Sequence, residues 1–100
     1  MSEKNKERYL TKGINEKLPT EAQLLCWYLI DLRMRLKKPV YYLQIFDFQV
    51  DTNGKQVLIH RQEVPEYHHI YYPTFELLIR QKIWVIDDGE YYTMLLPEEY

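Results

Sequence analysis

Pro19-Thr20-Glu21-Ala22-Gln23-Leu24-Leu25-Cys26-Trp27-Tyr28-Leu29-Ile30-Asp31-Leu32-Arg33-Met34-Arg35-Leu36-Lys37-Lys38-Pro39 is the stretch on which the fold turns. Pro19 cannot extend a helix backwards, and it pushes Leu18 into an extended conformation. Thr20 followed by Gln23 has the spacing of a capping box. Glu21 lies in the first turn, and Arg33, Arg35, Lys37 and Lys38 gather towards the end, as the helix dipole favours. The reading is a helix over about Glu21 to Lys37, stopped by Pro39. At 100° per residue, Leu25, Tyr28, Leu29, Leu32 and Leu36 share one stripe. Cys26, Trp27, Ile30 and Met34 make a second stripe on the other side.

Beyond Pro39 the chain becomes rich in aromatic and β-branched residues, the composition of strands. Val40 to Val50 reads as a strand whose alternation changes phase, from Tyr41, Leu43 and Ile45 to Phe46, Phe48 and Val50. A bulge near Ile45 and Phe46 would turn both sets inward. Asn53-Gly54 marks a hairpin turn, after which Lys55 to Val64 pairs back. Tyr67 to Tyr72 forms a further extended run, bounded by Pro65 and Pro73. Lys82 to Asp87 and Tyr91 to Leu96 form a second hairpin around Asp88-Gly89. Upstream of the helix, Tyr9 to Ile14 reads as a short first strand and residues 1–7 as a mobile tail. The order is β-α-β-β-β-β-β, with short turns that imply antiparallel neighbours. One long helix on a mostly antiparallel sheet of five to six strands is an α+β domain, here spanning residues 8–100.

The 100 residues leave room for one domain, and 46% hydrophobic content is that of an ordinary globular chain. The first half carries nine Lys/Arg and six Asp/Glu, net +3, and the second carries four and nine, net -5. That acidic balance argues against a nucleic-acid footprint, which is basic. No stretch approaches the length of a membrane-spanning helix, and the polar start lacks the apolar core of a secretory signal. One cysteine excludes an internal disulfide and suits a reducing compartment, so the cytoplasm is the expected location.

Several chemistries fail on residue type or spacing. Gly13, Gly54 and Gly89 stand too far apart for either glycine-rich phosphate loop. The only serine, Ser2, lies in the expected tail, where it cannot be held against a base. Cys26 sits in an apolar helix and reads as buried and inert. His68 and His69 are neighbours in a strand and point to opposite faces, so they do not make a metal pair. His60, His68 and His69 read as solvated strand histidines. The Asp51 and Asp87-Asp88 turns break the ligand pattern of a calcium loop in both registers and read as turn formers. No catalytic residue, cofactor or metal is expected.

Two surfaces suggest binding. One helix on one sheet buries roughly one stripe of ~100°. Cys26, Trp27, Ile30 and Met34 would then face away from the sheet, covered either by the chain's own Thr74 to Gln81 segment or N-terminal arm or by another protein, for which Trp27, Ile30 and Met34 are the candidate surface. The pairs Tyr41-Tyr42, Tyr71-Tyr72 and Tyr91-Tyr92 would each send one ring to either face of the sheet and give the outer face an aromatic character. That face carries the alternative reading, single-stranded nucleic-acid binding by stacking.

Val85-Ile86-Asp87-Asp88-Gly89-Glu90-Tyr91-Tyr92-Thr93-Met94-Leu95-Leu96-Pro97-Glu98-Glu99-Tyr100 resembles the ending of the bacterial family catalogued as domain of unknown function 960. Arg8-Tyr9-Leu10-Thr11, Trp27-Tyr28-Leu29-Ile30-Asp31, Tyr42-Leu43-Gln44-Ile45-Phe46 and Gln62-Glu63-Val64-Pro65-Glu66-Tyr67 extend the resemblance over nearly the whole chain. Pro97 departs from it, standing where a small residue is expected. The resemblance implies a small cytoplasmic protein of Gram-positive bacteria, often associated with phages and mobile elements, with no activity, cofactor or active site to transfer. The expected function, resting on the Trp27, Ile30 and Met34 stripe, is non-enzymatic protein–protein interaction, with nucleic-acid binding as the alternative, an enzyme using some pair of its 15 carboxylates ranked last, and monomer and homodimer both open.

Overall fold

The structure, a computed structural model, describes residues 6–100. Its elements are β1 (Glu7–Leu10), α1 (Lys12–Lys17), α2 (Thr20–Arg35), β2 (Leu43–Val50), β3 (Gln56–Gln62), β4 (Tyr67–Tyr71), β5 (Gln81–Asp87), β6 (Tyr91–Leu95) and a closing 3-10 turn, Pro97–Glu99. The six strands form one sheet in the order β1-β6-β5-β2-β3-β4. Every pairing is antiparallel except β1 with β6. The expected α+β architecture is therefore observed.

The N-terminal reading needs correction. Of the tail expected over residues 1–7, Lys6 pairs with Asp87 at 2.7 Å and Glu7 begins β1, while residues 1–5 lie outside the described chain. The first strand ends at Leu10, and the residues after it coil into α1. Thr11 caps α1 by accepting the Ile14 N–H, and Ile14, expected in a strand, is fully buried in this helix. Gly13 marks no bulge. A Cβ there would lie 2.5 Å from the Glu99 carboxylate and 2.8 Å from Leu96. The space is taken because Glu99 accepts hydrogen bonds from the Thr11 hydroxyl, the Gly13 N–H and the Leu96 N–H.

The capping box expected at the start of α2 is not made. Pro19 is the N-cap and lends no side-chain hydrogen bond. The Gln23 amide instead donates to the Leu18 carbonyl, at the corner between α1 and α2. The other end is a Schellman motif, with Lys38 N–H donating to Arg33 O and Lys37 N–H to Met34 O. Its left-handed position, φ 59°, is filled by Lys37. Glycine suits that position better because it has no Cβ to crowd the carbonyl. Lys37→Gly is expected to raise the unfolding free energy by about 0.5–1 kcal/mol, read as a higher urea midpoint at unchanged slope.

β2 runs in unbroken register from Ile45 opposite Arg61 to Val50 opposite Gln56, and from Leu43 opposite Ile86 to Phe48 opposite Gln81. The expected bulge is absent, so its two apolar sets go to opposite faces. Phe46 and Phe48 turn towards α2 with Leu58, Ile83, Val85, Tyr92 and Met94, forming the core with Ile14, Ala22, Cys26, Leu29 and Ile30. Leu43 and Ile45 turn the other way, with Ile59, Trp84, Ile86 and Leu95 as same-face neighbours. The β2–β3 turn uses Asp51, whose carboxylate accepts the N–H groups of Asn53 and Lys55, and Gly54 at φ 79°.

Candidate functional site

The Trp27, Ile30 and Met34 surface does not exist as expected. Ile30 is 0% exposed and belongs to the core, Trp27 is half-buried, and Met34 is 37% exposed. The buried residues of α2 are Ala22, Gln23, Cys26, Leu29, Ile30 and Arg33, an arc about 120° wide at 100° per residue, centred on Cys26. The leucine and tyrosine stripe lies largely outside that arc: Tyr28 and Leu36 are exposed and Leu25 and Leu32 half-buried. Trp27 is closed in by Tyr92, edge-on at 6.1 Å, and by the Arg8 guanidinium, 4.9 Å from its ring and paired with Asp31. Burial pushes the Cys26 thiol far above its ordinary pKa, which keeps it protonated and inert.

Arg33 decides this orientation. It lies in the middle of the buried arc, where a charge must be satisfied. Its guanidinium donates twice to the Pro39 carbonyl, at 2.7 and 3.2 Å, and lies 3.7 Å over the Tyr67 ring. It is a structural cation rather than one of the solvated helix-end charges the sequence suggested.

Beside it lies a buried polar network that the sequence reading missed. Gln44 donates to Gln62 Oε1 and to the Tyr41 carbonyl, and Gln62 donates to the Pro65 carbonyl. His60 Nε2 donates to Gln44 Oε1 at 2.7 Å, a donor role fixed because Gln44 has spent its amide N–H groups on the other two. His60 was expected in solvent; it is fully buried, stacked on Phe46 at 4.3 Å, and its Nδ1 has no partner. Desolvation first, then the charges of Arg33 and His69, lower its pKa to about 3. The missed signal was periodic: Gln56, Leu58, His60 and Gln62 are all buried at every second position of β3. Gln56 does similar work at the other end, where its amide bonds both the N–H and the carbonyl of Ile79.

The tyrosine pairs do not assemble into one aromatic face. Tyr41 and Tyr42 precede β2 and pack edge-on against each other at 4.8 Å. Tyr71 ends β4 and points to the helix side, and Tyr72 lies in the following loop. Only Tyr91 and Tyr92 are split by a strand as expected: Tyr92 is buried beneath α2, and Tyr91 meets Tyr9 edge-on at 5.1 Å on the far side.

That far side is the surface left for contact. The buried apolar residues of α1 and α2 join the core on the other face, so neither of these helices covers this one, and only the closing turn reaches it, at β5. Its middle rows are Thr93–Ile86–Leu43, then Leu95–Trp84–Ile45–Arg61–His68, then Lys82–Asp47–Ile59–Ile70. Tyr100 stands edge-on to Trp84 at 5.6 Å. A cleft of about 390 Å³ opens at its β3–β4 end beside Arg61, His68 and Glu66. Among the described residues no three His, Cys, Asp or Glu side chains gather as a metal-ligand set, and no helix is long and apolar enough to cross a membrane.

These features define a class: an α+β fold whose sheet carries α1 and α2 on one face only, while on the other Ile45 and Leu95 are nearly buried among half-buried Leu43, Ile59, Trp84 and Ile86. The family model described as "Staphylococcal protein of unknown function (DUF960)" matches residues 7–99, and the chain belongs to that family. A crystal structure of a protein of unknown function from Enterococcus faecalis is similar to it over 95% of this chain and 91% of that one, with 29% identity and a TM-score of 0.82. None of the curated proteins matches the sequence.

Proposed function

We propose that this chain is a non-enzymatic interaction module that binds another protein through the open face of its sheet. The observation carrying the reading is the central patch of that face, where half-buried Leu43, Ile59, Trp84 and Ile86 surround nearly buried Ile45, apolar side chains at positions that a sheet with a solvated face fills with polar residues. Contiguous apolar surface flanked by charges, here Arg61, Asp47 and Lys82, is the usual composition of a protein contact. The cytoplasm is the compartment this reading assigns, since the lone Cys26 needs no oxidising environment. The charge on this face is mixed rather than basic, which favours a protein over a nucleic-acid strand.

The test is capture from a lysate of the source cell with wild-type protein and with the double variant Trp84→Thr, Ile86→Thr. Threonine keeps the strand preference while removing the apolar surface. A protein retained stoichiometrically by the wild type and lost by a variant that still melts cooperatively is the expected result. Equal capture by both, or salt-dependent retention of oligonucleotides instead of protein, overturns the reading.

A further inference from the structure

Independently of that face, we infer that the outer side of α2 is a self-association surface, at which α2 of a second copy of this chain packs antiparallel. Glu21, Leu25, Tyr28, Leu32 and Arg35 follow one another at intervals of four, three, four and three residues. At 100° per residue they lie in a stripe about 80° wide, centred about 140° from Cys26, the middle of the buried arc. Such spacing is what keeps two helices in contact along a shared seam. Glu21, Tyr28 and Arg35 are exposed, and Leu25 and Leu32 are half-buried. Leu24, 62% exposed, and Leu36, 58% exposed, border the stripe on its two sides. A solvated helix face is polar, whereas this seam is apolar along its middle and charged only at its ends.

The order of the five residues selects the occupant. Read backwards, the series changes only by exchanging its acid and its base. The complement of this seam is therefore the same seam in the opposite direction. A two-fold axis normal to α2 near Tyr28 sets Tyr28 beside its counterpart and Leu25 level with the second copy's Leu32. Glu21 then comes within reach of the second copy's Arg35, and Arg35 within reach of its Glu21, one ion pair at each end. Among the described residues neither Glu21 nor Arg35 has an ion-pair partner in its own chain. A parallel pair would instead oppose acid to acid and base to base, with the helix dipoles aligned. The dipole accounts for an acid early and a base late in a helix, but not for two leucines and a tyrosine between them in the same outward stripe. A contact made by one pair of helices is smaller than a standard interface, so the dimer is weak and concentration-dependent.

Sedimentation equilibrium of the full chain should show a reversible monomer–dimer equilibrium in the upper micromolar range. Glu21→Arg and Arg35→Glu, each checked for folding by circular dichroism and melting, should each weaken it about tenfold, since both ends then oppose like charges. Mixed in equal amounts, the two variants should form a heterodimer as tight as the wild-type dimer by native mass spectrometry, because the mixed pair has opposite charges at both ends. Both reversals in one chain should restore the homodimer. The Trp84→Thr, Ile86→Thr variant should dimerise like the wild type, so failure here and failure of the open-face reading are separable. A wild type monomeric at every concentration, single reversals that dimerise undiminished, a mixture without heterodimer, or a dimer lost in the Trp84→Thr, Ile86→Thr variant overturns the inference.

Discussion

Ile30→Glu is expected to unfold the domain, whereas Met34→Glu, one turn further along α2, changes its stability by less than about 1 kcal/mol. Ile30 is 0% exposed among the core residues, and Met34 is 37% exposed. Removing the isoleucine forfeits about 2–3 kcal/mol of burial. A carboxylate in its place must either stay charged without a partner or take up a proton, and both cost several kcal/mol more. Together these losses approach the whole stability of a 100-residue domain, about 5–15 kcal/mol. Leu24→Glu is the control on the opposite side. Leu24 is 62% exposed and stands in the first turns of α2, where an anion is tolerated, so the variant should fold normally. Urea unfolding of the three variants reads the orientation of α2 directly. A folded Ile30→Glu with an unfolded Leu24→Glu would invert it.

That orientation was the part of the fold the sequence did not reveal. Strands and turns were legible because they depend on local chemistry: Gly54 and Gly89 take the positive φ of tight turns, and alternation marks β3 and β5. α2 is apolar nearly all round, so periodicity yields two competing stripes. The choice between them rests on Arg33, whose partners Pro39 and Tyr67 come from a connection and from the far edge strand. A charged residue at the centre of a buried arc reads as surface until those partners are known. α1 was missed for the same kind of reason. Six residues are too few to be helical on propensity alone, and its first turn is fixed by Glu99, 86 residues beyond Gly13. The open face was hidden by an inference that was locally sound. Two apolar phases in β2 suggested a bulge serving one core, where the strand instead keeps regular pairing and supplies apolar side chains to both faces. The candidate site therefore moved from the helix to the sheet.

Acidification from pH 7 to pH 5 should cost the protein about 2 kcal/mol through His60 alone. The folded ring has a pKa lowered to about 3 from 6.5, so it stays neutral where the unfolded chain becomes protonated. Between these values the unfolded state binds the extra proton. Stability is thus complete above about pH 6.5, falls as pH drops through the window, and levels off below about pH 3. The full span of 3.5 units corresponds to about 5 kcal/mol. Glu99 and Asp88, whose carboxyl groups are lowered from 4.5 and 3.8, lose their stabilising hydrogen bonds only in more acid solution. The interval from pH 7 to 5 therefore isolates the histidine from these two. His60→Phe should remove this pH dependence and close the gap in stability between the two proteins at pH 5. At pH 7 it leaves Gln44 Oε1 without the ring's N–H, at a cost of about 1–2 kcal/mol. Its free energy should then stay flat towards pH 5, while that of the wild type declines to meet it. The stack on Phe46 survives the change, because one flat ring replaces another. Urea titrations at half-unit pH steps give both curves. A wild-type curve as flat as the variant's would mean that the ring takes up its proton while folded, which a side chain sealed beneath α2 with one spent and one empty nitrogen should resist.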